Sequence, residues 1–292
     1  MAEAGDRGAG TAHAQARERH HTGVSVTAVA TEVEVERWRR GVATRERDVV
    51  AEELPVALIY DGVPHVVMLA TPADLEDYAV GFTLSEGLVE RPEEIRAVDV
   101  TWGAEAADVR VSVAWERFSE LLNRRRNLTG RTGCGLCGLE SAGQAVREVK
   151  PVGRGPSVTA ADLHAAIGDL AARQPINSRT GSVHAAAWVV PGEGIRLVRE
   201  DVGRHNALDK LIGALVRSGA DFAGGYLLLT SRASFEMVQK SAAVGIAFVA
   251  ALSAPTALAI RLAQRAGMTL VAFAREHQHV TYSHPERLRA AP

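Results

Sequence analysis

Cys134 and Cys137 are the only two cysteines in a chain of 292 residues, and they stand two residues apart in the stretch Thr132-Gly-Cys134-Gly-Leu-Cys137-Gly138. Thiols at that spacing can close a disulfide, share a metal ion, or pass a sulfur atom from one to the other. Gly133, Gly135 and Gly138 leave the backbone open to an incoming group. Arg124, Arg125, Arg126 and Arg131 lie just upstream. Neighbouring cations favour the thiolate, which is the nucleophilic form. A structural disulfide across so short a loop gains little entropy, and CxxC disulfides are usually redox-active. Two cysteines cannot supply the four thiolates of an all-cysteine zinc site. A mixed site with two of the ten histidines stays open. The suitably spaced pair, His279 and His284, stands far beyond the roughly twelve residues that separate ligand pairs in a zinc finger.

A second kind of chemistry is written where apolar runs give way to polar helix starts. The first such place is Asp201-Val-Gly203-Arg204-His205-Asn206-Ala-Leu-Asp209-Lys210, with Asp201 or Asn206 as the expected cap. The second is Thr230-Ser231-Arg232-Ala-Ser234-Phe-Glu236, and the third is Ser253-Ala-Pro255-Thr256. Backbone N–H groups, hydroxyls and an arginine at a helix start suit a phosphate. The bland alternative at each is an ordinary capped helix, with Ser234 as a cap. None is a Walker A loop, because the Gly-Lys-Ser/Thr ending is absent. Three such junctions on one sheet edge make a crevice for an anionic ligand. His184 would suggest a zinc deaminase if Glu stood two residues later, but position 186 is Ala and the CxxC lies upstream instead of downstream. His184 therefore reads as a satisfied strand histidine.

These residues need a scaffold, and the chain spells out an α/β one. Residues 1–24 lack apolar periodicity and read as a disordered tail. Val24, Val26, Val33 and Val35 begin a strand region. Leu54–Tyr60, Asp61-Gly62 and Val63–Leu69 spell a hairpin with a type I′ turn. A helix should follow from Thr71 as cap and Pro72 to Glu86, where Gly87 stops it. Val109, Val111 and Val113 alternate in a half-buried strand, and Trp115–Arg126 forms a helix leading into the cysteine loop. Thr159 caps a helix ending near Arg173. After Pro175, strands over 183–190, 195–198, 226–230, 246–252 and 268–274 alternate with helices over 206–216, 234–243 and 255–266. That alternation predicts a partly parallel sheet covered by helices. The expected division is a tail, an α+β part over 25–150 ending in the CxxC loop, and an α/β domain over 151–292.

Bulk properties exclude several classes. A formal net charge of -2 and 5% aromatic residues do not suit a dedicated nucleic-acid binder. No apolar run reaches about 18 residues, so no transmembrane helix is expected, and no signal peptide is evident. Two cysteines fit a reducing, cytoplasmic location.

With these motifs assembled, the chain from about Val24 to Leu288 resembles the formate dehydrogenase accessory sulfurtransferase family. The resemblance rests on Thr132–Gly138, Asp201–Lys210, Ser231–Glu236 with Lys240, and Ser253–Thr256, four motifs in order. It implies a C-terminal α/β/α layer similar to cytidine deaminase, without the deaminase zinc, beside a smaller N-terminal α+β part. It implies a sulfurtransferase that takes sulfur from a cysteine desulfurase as a persulfide. The sulfur then passes to the molybdenum cofactor of formate dehydrogenase, the bis-molybdopterin guanine dinucleotide, for which guanine nucleotides are mimics. It further implies a homodimer. By position, Cys134 carries the persulfide and Cys137 relays or resolves it. The cofactor contacts fall on Phe273, Ala274, Arg275, Glu276, His277 and Gln278, together with Ser231, Arg232 and His205. Ser231 and Ala272 depart from the family, which often has glycine at both places. A cofactor-binding chaperone without transfer chemistry is the competing expectation.

Overall fold

The computed structural model describes residues 28–126 and 148–290. The expected tail, the strand start at Val24 and Val26, and the cysteine loop lie outside the described residues.

The described residues open with β1 (Ala30–Arg39) and β2 (Val42–Ala51), an antiparallel pair with no third strand among the described residues. The predicted hairpin follows as β3 (Leu54–Tyr60) and β4 (Val63–Ala70). Asp61 and Gly62 have φ of 44° and 82°, the left-handed pair that a type I′ turn requires. Next come α1 (Leu75–Ser85), β5 (Ile95–Trp102), β6 (Ala107–Val113) and α2 (Trp115–Arg126). Four strands form one sheet in the order β4-β3-β6-β5, with β3 and β6 parallel. Val109, Val111 and Val113 point inward as their alternation predicted, against α1 and α2.

After residue 148 come the short β7 (Val158–Thr159), α3 (Ala160–Leu170), α4 (Asn177–Thr180), β8 (His184–Val190), β9 (Gly194–Asp201) and α5 (Arg204–Arg217). The alternation continues through β10 (Tyr226–Leu229), α6 (Phe235–Ala243), β11 (Phe248–Ala251), α7 (Ala257–Ala266), β12 (Thr269–Arg275), β13 (Gln278–Ser283) and β14 (Leu288–Arg289). A six-stranded mixed sheet results, ordered β13-β12-β11-β10-β8-β9, with β10, β11 and β12 parallel. Its central strands are apolar on both faces because both are covered. Leu227 and Leu229 pack toward α5, α6 and α7, whereas Tyr226 and Leu228 pack toward α3. This is the expected α/β/α layering, and the chain is α/β as predicted.

The two sheets meet through α1 and α5. Polar residues read as a ligand junction turn inward here. Asp201 accepts the Thr71 N–H (3.0 Å) and pairs with buried Lys210 (2.6 Å), which also donates to the Thr71 carbonyl (2.9 Å). Asn206 donates to the Leu69 carbonyl (2.8 Å). Lys240 donates to Asp209 (2.9 Å), Glu86 (2.8 Å) and Ser85 (3.0 Å). Burial depresses the Lys240 ammonium, but Asp209 and Glu86 outweigh it and hold the group above its ordinary value. Burial pushes the Asp209 carboxyl up despite Lys240.

Several expectations need correction. Thr71 does not cap α1. Its hydroxyl accepts the Val202 N–H (3.1 Å), and the helix begins three residues beyond Pro72, after Asp74 in a left-handed conformation. Neither Asp201 nor Asn206 is the cap of α5; Gly203 occupies that position, and Asp201 accepts its N–H (2.8 Å). Ser234 is the N-cap residue of α6 but makes no side-chain cap bond. Thr159 caps α3 as predicted, in a capping box with Asp162. The strands β5 and β13 were not expected, although Val98 and Val100 of β5 do alternate with exposed Asp99 and Thr101.

Candidate functional site

The carboxyl ends of β10, β11 and β12 lie side by side, with the start of antiparallel β8 and the end of β9 next in line. All three polar junctions therefore stand on one edge of one sheet, the arrangement in which they would make a crevice. Main-chain bonds stitch them together: Ala233 N–H donates to Ala254 O (3.2 Å), Thr256 N–H to Ala233 O (3.1 Å), and Phe273 N–H to Ser253 O (3.1 Å). Open α/β sheets bind ligands at such edges, where successive crossovers leave a crevice.

At one end of the edge stands a cluster of charged groups. His205 Nε2 donates to Glu236 Oε2 (2.8 Å), and Arg204 lies 3.5 Å from the same oxygen. The hydrogen bond from His205, reinforced by the charges of His205 and Arg204, holds the Glu236 carboxyl below its usual value. His184 is half-buried at the start of β8. Burial, then the charges of Arg204 and His205, keep its imidazole below the ordinary histidine value. Arg204 Nε is buried and has no partner among the described residues. Arg232 is exposed and makes no ion pair among them. Ser231 is buried, and its hydroxyl donates to the Arg232 carbonyl (3.1 Å). Neither Ser231 nor Ala272 has a positive φ, so a side chain at either place carries no left-handed strain.

At the other end, Arg275 to Gln278 is a hairpin corner and not a simple strand end: Glu276 and His277 make the turn from β12 into β13. The ladder breaks between Ala272 and Arg275, and Phe273 there has φ 48° with 43% of its surface exposed. A bulky residue in the left-handed region is costly, and such outliers gather at binding sites. Ala274 is fully buried in the core against α3 and borders the cavity at this corner. Arg275 donates to the Leu252 carbonyl. Arg275, Glu276, His277 and Gln278, with Ile167 and Leu252, line a cavity of about 470 Å³. His164 on α3 and His279 on β13 share a hydrogen bond (Nε2 to Nδ1, 3.0 Å) beside it.

The edge brings together Ser231, Arg232, His205 and Phe273 to Gln278. Cys134 and Cys137 lie outside the described residues. Sequence reasoning missed Arg204 and Glu236 as members of the cluster. Only the fold joins Glu236 to His205, and no local spacing signals it. A larger cavity of about 900 Å³, lined by Asp77, Trp188, Arg199 and Arg217 among others, opens elsewhere and holds none of the predicted residues. Its charges are already paired, since Asp77 accepts from Arg199 (2.7 Å) and Arg217 (2.6 Å). Among the described residues no three histidine, cysteine, aspartate or glutamate side chains converge as metal ligands.

A family model described as FdhD/NarQ matches residues 51–289. The chain is 52% identical over 255 residues to the sulfur carrier protein FdhD of Cupriavidus necator, covering 87% of this chain and 88% of that protein. It is 53% identical over 255 residues to the sulfur carrier protein FdhD of Xanthomonas euvesicatoria pv. vesicatoria, covering 87% and 90%. A crystal structure from Desulfotalea psychrophila, of a protein described as a candidate formate dehydrogenase accessory protein, superposes with a TM-score of 0.73 at 24% identity. That match covers 90% of this chain and 100% of the other, and it supports the fold. The family model spans most of the chain, and the relatives are more than half identical over nearly their whole length: the chain belongs to the FdhD/NarQ family.

Proposed function

We propose that this chain is a sulfur carrier in formate dehydrogenase maturation, working in the cytoplasm as a persulfide sulfurtransferase. The observation that carries the ligand half of this reading is the single sheet edge holding Ser231, Arg232, His205 and the Phe273–Gln278 corner. The relatives named as sulfur carriers, and a chain whose only cysteines form a CxxC, support the transfer half.

The Cys134 thiolate attacks the outer sulfur of a desulfurase-bound persulfide. The donor S–S bond breaks, the donor leaves as thiolate, and the outer sulfur now sits on Cys134. Arg131 and the arginines before it favour the attacking thiolate. The Cys137 thiolate then attacks the inner sulfur of that persulfide. A Cys134–Cys137 disulfide forms and hydrosulfide departs, so both electrons are supplied by the two cysteines. The hydrosulfide becomes a ligand of the substrate metal in the bis-molybdopterin guanine dinucleotide, and a cellular thiol reduces the disulfide for the next turn.

The edge holds the substrate by its anionic and planar groups. Arg232, exposed and without an ion pair among the described residues, offers donors to phosphate. The exposed Phe273 ring offers a face on which a base can stack.

The test is peptide mass spectrometry after incubation with a cysteine desulfurase and cysteine, with and without reductant. One reductant-sensitive sulfur on Cys134 or Cys137 is expected. Cys134→Ala should keep guanine-nucleotide binding and lose activation of formate dehydrogenase. A desulfurase shown to be active that loads no sulfur onto either cysteine would leave a cofactor-binding chaperone as the reading.

A further inference from the structure

The β1–β2 hairpin is not needed for either sheet, and the family match begins at residue 51, where this hairpin ends. Each strand has ten residues, an arm of roughly 33 Å. An isolated two-stranded ribbon is marginal in water. This one is braced across its strands by charge. Arg37 pairs with Glu46 and with Asp48 (2.8 Å), and Arg47 approaches Glu32 (3.5 Å). The tip differs from the shaft. Residues 38–45 are all exposed, and they carry Trp38, Arg39, Arg40 and Arg45 with no carboxylate among them. Trp38 has 65% of its surface exposed, with its indole N–H donated to Glu36 (2.9 Å). Arg39, Arg40 and Arg45 form no ion pair among the described residues. Arg40 and Gly41, at φ 52° and 82°, close a tight two-residue turn that leaves the tip narrow.

The root of the arm adjoins the ligand edge. Glu52 N–H donates to Val29 O (3.0 Å), and β2 lies against α4. The first N–H groups of α4 are held by Glu200 on β9 (2.8 Å to Asn177), and the chain leaving α4 enters β8 at His184. A protein that reaches the edge to exchange its ligand comes alongside this arm.

We propose that the arm tip is a docking element for the protein that takes the ligand from the sheet edge, gripping an acidic surface around an apolar recess that receives Trp38. The inference rests on the proposed function for the identity of that protein, the formate dehydrogenase apoprotein. Tryptophan and arginine are the residue types most enriched at energetic centres of protein interfaces. Three unpaired guanidiniums on a chain of net charge -2 supply the complementarity for an acidic partner. Nucleic acid calls for a broad basic stripe, and a membrane surface for an extended amphipathic face; the tip has neither.

The experiment measures binding of the full chain to formate dehydrogenase apoprotein by biolayer interferometry, for the wild type, W38A and R39E/R40E. Both variants should bind at least tenfold more weakly. The salt dependence of the wild type should flatten in R39E/R40E. Persulfide loading and guanine-nucleotide binding should match the wild type in both variants, and unchanged thermal melting shows that the tip folds. Equal affinities, or no binding by the wild type, overturn the docking role. So does an effect confined to self-association in sedimentation velocity or to phosphatidylglycerol vesicles. Failure of the wild type to accept sulfur overturns the proposed function and is read in a separate assay that does not involve the arm.

Discussion

Gly81 on α1 and Gly213 on α5 are the reciprocal contact through which the two sheets are joined. A β-carbon on Gly81 would stand 1.8 Å from the Asp209 carbonyl oxygen, and one on Gly213 would stand 1.8 Å from that of Asp77. The helix backbones touch, and neither has room to retreat, because α5 is packed against the six-stranded sheet and α1 against the four-stranded one. This close approach lets Lys240 reach Ser85 and Glu86, and lets Asp201 reach Thr71.

Gly213→Ala should therefore be among the most damaging single changes to folding. Overpacking costs typically 1–3 kcal/mol, and a clash with the Asp77 backbone, which cannot rotate away as a side chain could, puts this one at the upper end or beyond, about 3 kcal/mol or more. Urea denaturation of the purified variant, or its absence from the soluble fraction, checks this. A loss under about 1 kcal/mol would mean that the helices can separate.

Lys240 tests the buried charge cluster. Lys240→Met leaves Asp209 and Glu86 without their cation and should cost about 3–5 kcal/mol. Removing the opposing charge as well, in Lys240→Met/Asp209→Leu, should recover part of that loss. The double-mutant cycle reads the coupling. Additive losses would show that the pair is not coupled.

Phe273 should separate stability from binding. Phe273→Gly removes the penalty of a left-handed bulky residue, about 1–2 kcal/mol, and the ring it removes is only partly buried, with 43% of the residue's surface exposed. The variant should be as stable as the wild type or more so, and should bind guanine nucleotide about tenfold more weakly, the loss of one stacked base. Calorimetric titration beside thermal melting gives both numbers. Unchanged affinity would remove Phe273 from the site.

Acid should destabilise the fold through His184 and His279. Burial comes first in holding both below the ordinary histidine value, with nearby positive charge second. The folded pKa is depressed, so the stabilising difference is intact above the unfolded value near 6.5. It is lost as the pH falls through that value toward the lower folded one, because the unfolded chain takes the proton first. Urea midpoints measured between about pH 7.5 and pH 5 should fall. His279→Gln should flatten part of that slope, and an unchanged slope would assign the loss to other groups.

Much of the scaffold was legible locally. The Asp61-Gly62 turn, the Val109–Val113 alternation, the Thr159 cap and the α/β alternation after Pro175 depend on neighbours in sequence, and each forms as read. The shared edge of the three polar junctions came from the strand order, because parallel strands joined by helices on one face present their carboxyl ends together. Thr71 misled for the opposite reason. It has the chemistry of a cap, but its hydroxyl is engaged by the Val202 N–H, contributed by a residue 131 positions away. Asp201, Asn206 and Lys210 read as a ligand junction and proved to be the join between the two sheets, with only Arg204 and His205 of that stretch turned to the edge.

The sequence by itself determined the chemical inventory: two thiols at CxxC spacing, polar helix starts after apolar strands, and the α/β class. These depend on residue type and short spacing, which survive any change of tertiary arrangement. Only the tertiary structure decided which polar residues face a ligand and which are buried as ion pairs. An aspartate beside a lysine looks the same in either role until α1 packs against α5 and excludes water from one of them. The fold also set His205 against Glu236 and left Phe273 in a conformation that no local rule would choose.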